Sequence, residues 1–214
     1  MVAPTENETI NAIATTYAGV RFRSRLEARW AAIFELVELR CEYEPLDLGG
    51  EGGTGYVPDF VLLPEGGTLR QVLVECKPVM WTHPRANHGE WPDDAPEARE
   101  HLARARAAGW RGEFALMGAT LGPVVSGLSC LGVGFAALAP DAAVDSEHER
   151  PEPVCLCSAD ANPSVAGSIG SFVLECPGGW GTWPSDRAPR PTHGRDWIRA
   201  VWLMAGNAVQ WRAR

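Results

Sequence analysis

Two apolar runs joined by a short turn constrain this chain more than any other stretch: "YVPDFVLL" (Tyr56–Leu63) and "RQVLVECK" (Arg70–Lys77), with "PEGGT" between them. Their length, branched content and Gly-bearing connection predict a β-hairpin. Pro58 predicts an edge position or a bulge for the first strand. A turn centred near Gly67 sets Asp59 opposite Glu75. Opposed Cβ atoms in such a pair lie about 4.5–5.5 Å apart, so two carboxylates there repel unless a cation sits between them. Lys77 shares a face with Glu75, because strand side chains alternate with period two. It is the only lysine; the other eighteen basic residues are Arg. A divalent cation is the stronger partner, and a hard oxygen donor set suits Mg²⁺ or Mn²⁺. The plainer alternative makes Asp59 part of a Pro-Asp turn and Glu75–Lys77 a surface ion pair at a strand end.

The flanking segments predict an α/β domain. Phe22, Leu26, Trp30, Ile33, Phe34 and Val37 recur at helical spacing, so Ser24–Leu39 is read as an amphipathic helix. "RCEYEP" (Arg40–Pro45) predicts a short strand stopped by proline. A second helix spans Glu97–Ala108 with Gly109 beyond its end, and Gly112–Ala119 predicts another strand. Residues 1–18 look like a polar lead-in. The order is helix, three strands, helix, strand.

These residues resemble the PD-(D/E)xK nuclease superfamily. "PDF" (Pro58–Phe60), "VECK" (Val74–Lys77) and the upstream "RFRSRLEARWA" (Arg21–Ala31) carry the resemblance, over roughly half the chain. Within it, the helix Glu is similar to Holliday-junction resolvases and to the DNA-nicking subunit of heteromeric transposases. The resemblance implies a restriction-endonuclease-like core, a mixed central sheet flanked by helices in the order αβββαβ. It also implies metal-dependent DNA cleavage. Asp59 and Glu75 would bind the metal with the backbone carbonyl of Cys76, and Lys77 would position the attacking water. Glu27 would bind a second metal or hold its water. A competing reading makes Ser24-Arg25-Leu26-Glu27 a capping box. Arg21, Arg23 and Arg25, with Arg104 on the second helix, are the candidate phosphate contacts. A solvated arginine face explains the first three equally well and Arg104 better. His83 and His88 fall in a long loop and carry no expectation.

Composition bounds the rest. A net charge of −8 excludes nucleic-acid binding by the whole surface and leaves a local patch. Residues 1–140 are expected to form the nuclease-like domain, 141–153 an acidic linker, and 154–214 a small Cys- and Trp-rich module. Cys155, Cys157 and Cys176 are the candidate zinc ligands. A ribbon needs two Cys-x₂-Cys pairs, which this spacing does not supply, so a metal-free remnant is expected. Phe114–Pro140 carries no charge, but its glycines and Pro123 predict core segments rather than a membrane span. The opening residues lack the basic start and apolar core of a secretory signal, so the cytoplasm is expected. DNA is the expected partner. A non-catalytic nucleic-acid-binding or assembly subunit and an RNA nuclease are the alternatives.

Overall fold

The computed structural model describes residues 12–37, 39–48, 56–63, 71–79, 96–121, 124–125, 128–135, 137–138, 152–158, 172–176 and 194–210. They form a mixed α/β arrangement. A hairpin, β1 (Thr15–Tyr17) and β2 (Val20–Phe22), precedes helix α1 (Arg25–Leu36). Strands β3 (Cys41–Tyr43), β4 (Phe60–Leu62) and β5 (Val72–Cys76) follow, then α2 (Pro96–Ala107) and β6 (Glu113–Met117). The chain continues through β7 (Val124–Val125), β8 (Leu128–Phe135), β9 (Glu152–Ser158) and β10 (Phe172–Cys176) to α3 (Gly194–Ala208).

One sheet runs in the order β3-β4-β5-β6-β8-β9-β10, with β7 paired to β8 off that path. Strands β3, β4 and β5 are an antiparallel meander, whereas β5 and β6 are parallel. A parallel pair needs a long crossover, and α2 lies within it. The β4–β5 register pairs Phe60 with Val74 and Leu62 with Val72. That is the pairing expected from a turn near Gly67.

Period-two alternation divides the core into two layers. Phe60, Leu62, Val72, Val74 and Cys76 face one side with α1 and α3. Val61, Leu73, Phe114, Leu116 and Phe135 face the other, where α2 supplies Ala98, Leu102 and Ala105. Trp30 and Phe34 of α1 are fully buried, and the Trp30 indole N–H donates to the Gly118 carbonyl at 3.0 Å. At Gly132 a Cβ would lie 2.0 Å from the Leu116 carbonyl oxygen, so β8 approaches β6 closely enough to require glycine there.

Four expectations change. The lead-in contains β1, because Ala18 and Gly19 both adopt positive φ, as a tight two-residue hairpin turn requires. Helix α1 ends at Leu36, before Leu39, whose amide returns to the Phe34 carbonyl as the chain enters β3. Pro58 precedes β4 and lies outside the ladder, so this internal strand needs neither an edge nor a bulge. The described parts of the last sixty residues join the main sheet and core. Strand β9 pairs with β8 in the same sheet, and Val154, Ile198, Val201 and Ala205 share one core with Trp30 and Phe34. The apolar run Val124–Leu138 supplies β7 and β8. No helix among the described residues is long and apolar enough to cross a membrane.

Candidate active site

At the ends of β4 and β5 the fold buries acids. Asp59 is 1% exposed and Glu75 2%. The β4–β5 ladder ends at the Phe60–Val74 pair, and Asp59 and Glu75 are the next residue on each side of it. The Asp59 carboxylate accepts the Cys76 amide at 2.7 Å. It is this N–H of the Cys76 peptide that meets Asp59. Lys77 Nζ lies 2.9 Å from Glu75 Oε2, with its side chain one-third exposed. Glu75 and Lys77 are therefore partners, as their spacing predicted, but the acid is buried rather than at the surface.

Helix α1 brings the third acid. Ser24 is the N-cap, and its Oγ accepts the Glu27 amide at 3.1 Å. The Glu27 carboxylate does not close the box on the cap's own amide. Its Oε2 accepts the Arg23 amide at 3.1 Å and the Tyr43 hydroxyl at 2.7 Å. Glu27 is buried all the same, and its charge contributes to the upward shift at Asp59. It thus caps the helix and belongs to the acidic cluster.

Arg23 completes the cluster from outside. Its Nη2 meets Asp59 Oδ1 at 2.5 Å and its Nε meets Glu44 Oε1 at 2.7 Å, while Glu27 Oε2 is 3.9 Å away. Of the four arginines expected to contact phosphate, Arg23 instead reaches inward to carboxylates. Arg21 and Arg25 are exposed, and Arg104 pairs with Glu100 on the outer face of α2. Glu44 itself sits at φ 45°, a left-handed conformation uncommon outside glycine. The reason is positional: its amide donates to the Asp59 carbonyl at 3.0 Å, which turns the chain at the end of β3.

The electrostatics follow from this crowding. Burial, then the Glu75 charge, push the Asp59 carboxyl up to about 7, against the opposing Cys76 amide and Lys77. For Lys77, burial works downward, but Glu75 and Asp59 outweigh it and the ammonium is held above its usual value. Four carboxylates (Glu27, Glu44, Asp59, Glu75) thus meet two permanent cations, Arg23 and Lys77. With all four ionised, the excess would equal the charge of one divalent ion.

Sequence reasoning missed three residues here. His101 on α2 puts Nδ1 3.9 Å from Glu75 Oε2, has no hydrogen-bond partner at that atom, and is held below its usual pKa by burial. It shares the inward face with Ala98, Leu102 and Ala105, so helical periodicity carried the signal. The buried Tyr56 hydroxyl lies within reach of the Glu75 carboxylate, and burial, then the Glu75 charge and that contact, raise its pKa. Tyr43 joins Glu27. Carboxylate oxygens are the donor type a hard cation takes, and the cluster is rich in them. In the arrangement described, no group of three or more His, Cys, Asp or Glu among the described residues is disposed to hold a metal ion. Both Asp59 oxygens are engaged, one by Arg23 and one by the Cys76 amide.

The long loop with His83 and His88 lies outside the described residues. Cys155, Cys157 and Cys176 fall on the adjacent parallel strands β9 and β10, where Cys157 is in register with Glu175 and Cys176 with Ser158. Their side chains lie outside the description. Comparison with protein-family models, with characterised proteins and with solved structures finds no match.

Proposed function

We propose that this protein is a divalent-metal-dependent endonuclease acting on DNA phosphodiesters, with Asp59, Glu75 and Lys77 at its centre and Glu27 beside them. The observation that carries the reading is the burial of Asp59 and Glu75 at the ends of paired strands, with the lone lysine held on Glu75. The element order supports it. Helix α1, strands β3, β4 and β5, helix α2 and strand β6 follow one another in the order that the resemblance implies, within a longer run of strands.

Asp59, Glu75 and Glu27 would hold Mg²⁺ or Mn²⁺, with the Cys76 carbonyl as the ligand the resemblance implies. A bound divalent ion supplies charge that lowers the pKa of a water nucleophile and offsets negative charge growing on phosphorus. The chain's own residues do the rest. Lys77 stays protonated beside Glu75, so it is a charge donor that orients water or a phosphate oxygen rather than a base. Glu75 fixes that ammonium. Arg21 and Arg25 stand exposed near the start of α1, where a backbone phosphate would approach.

One observation favours a second reading. With Arg23 across Asp59, that acid has a cationic partner without metal, as a nucleic-acid-binding or assembly subunit that never cleaves would require. Incubation with supercoiled plasmid, branched DNA, single-stranded DNA and RNA, with Mg²⁺, Mn²⁺ or chelator, separates the two. Metal-dependent nicking of DNA lost in Lys77→Ala and Asp59→Asn is the expected result. Cleavage that ignores both substitutions rejects the site. Binding without cleavage in either metal leaves the assembly reading, and cleavage confined to RNA changes the substrate.

A further inference from the structure

Arg23 has a fixed root and a largely exposed side chain. Its amide is held by Glu27 Oε2 and the Tyr43 hydroxyl, both at 3.1 Å. Its side chain is 56% exposed and crosses from solvent onto the acids, bridging Asp59 and Glu44. The oxygen it covers, Asp59 Oδ1, is the one not taken by the buried Cys76 amide, which holds Oδ2. An approaching divalent ion needs that same oxygen. Two cations on one carboxylate oxygen repel strongly in a partly dry site, so the guanidinium and the ion exclude each other. With more than half of the side chain exposed, it can leave the acids for water while the backbone stays on the helix cap.

We propose that Arg23 is a tethered competitor for the metal, a side chain that neutralises Asp59 and Glu44 in the metal-free protein and must swing out before the ion binds. This rests on the metal-site reading above and adds a residue that sets its affinity. The same contact explains how two opposed buried acids fold together before any ion arrives. It also explains why the described acids form no ready metal group. Arginine suits the task because its planar fork spans two carboxylates at once, which a lysine ammonium on a single point does not.

The test is direct Mn²⁺ binding to the full-length protein, by calorimetry or by loss of the free Mn²⁺ paramagnetic signal, with thermal unfolding measured in parallel. Arg23→Gln should bind Mn²⁺ about tenfold more tightly than the wild type or better. It should also melt lower without metal and gain more from Mn²⁺. Arg23→Lys, which keeps the charge, should fall between the two. Arg25→Gln removes a neighbouring exposed charge without touching the acids and should leave Mn²⁺ affinity unchanged. Asp59→Asn should abolish binding in either background. If Asp59→Asn removes binding but neither Arg23 variant tightens it, Arg23 is no competitor and the metal reading survives. Equal tightening by Arg25→Gln would assign the effect to net charge and overturn the proposal. Absence of Mn²⁺ binding in every variant overturns the metal reading and this inference together. Should Arg23→Gln fail to fold, wild-type affinity in Arg23→Lys is sufficient to reject it.

Discussion

Arg23 and Arg29 lie at either side of the same helix start, and the fold uses them in opposite ways. Arg23 meets three carboxylates, which together hold its guanidinium pKa above the ordinary value despite partial burial. Arg29 is half-buried against α3. It donates to the Trp202 carbonyl, with Nη2 at 2.8 Å, and stacks 3.8 Å from the Trp202 ring centroid; burial lowers its pKa. A carbonyl and an aromatic face offer only partial charges, and no free ion competes well for them. Carboxylates bind any cation that arrives. The Arg29 contact is therefore a fastening for α3, and the Arg23 contact is an exchangeable one.

Cleavage gives the largest effect with which to break this contrast. Asp59→Asn or Glu75→Gln should reduce DNA nicking by about a thousandfold or more, through loss of charge stabilisation. Arg29→Ala should leave the rate per folded molecule near wild type. A comparable loss in Arg29→Ala, with the protein shown to be folded by circular dichroism, would erase the distinction.

Stability sharpens it from the other side. Trp202 meets Trp30 edge-on at 5.4 Å and carries Arg29 on its ring. Truncation to alanine should cost about 2–3 kcal/mol in chemical denaturation, less than a fully buried Trp because Trp202 is only half-buried. Mn²⁺ affinity should not move. If it does, the helix face and the acid cluster are coupled.

Much of this was legible in the residues. The hairpin register followed from turn chemistry, since a Gly-bearing turn fixes which residues oppose, and Phe60 paired with Val74 accordingly. The apolar spacing of Trp30, Ile33 and Phe34 announced α1. What stayed hidden was non-local. Arg23 looks like any helix-flanking arginine until β3 folds back and places Glu44 and Tyr43 beside it. The placement of β9 and α3 against the core depended on strand pairing over long separations, and a Cys- and Trp-rich composition carries no record of that. His101 was readable from periodicity, but a histidine on an apolar face is ambiguous until a carboxylate appears opposite.

Acid–base linkage gives the next effect in size. The Asp59 carboxyl is raised to about 7 by burial and by Glu75, against about 3.9 in an unfolded chain. The folded state therefore binds the proton more tightly than the unfolded state does. Stability from this group is full below about pH 4, falls as pH rises through 7, and is flat above. Metal-free wild type should lose on the order of 2 kcal/mol relative to Asp59→Asn between pH 4 and pH 8, discounted for water near the site. Arg29→Ala should show the wild-type slope. An identical pH slope in wild type and Asp59→Asn would mean that Asp59 titrates normally and that the crowding of acids is overstated.

The smallest effect separates the two roles of Glu27, and it returns to the helix start where the comparison began. Ser24→Ala removes the acceptor for the Glu27 amide and should cost about 1 kcal/mol, the usual value for an N-cap, with little change in cleavage per folded molecule. Glu27→Gln keeps an oxygen that accepts the Arg23 amide and the Tyr43 hydroxyl, so its stability should shift by less than about 1 kcal/mol. What it removes is charge. If Glu27 serves the metal, the Gln variant should bind Mn²⁺ more weakly and nick DNA more slowly while remaining as stable as the wild type. A Gln variant that binds and cleaves normally would reduce Glu27 to a cap, and would place the exchangeable cation on Asp59, Glu75 and Glu44 alone.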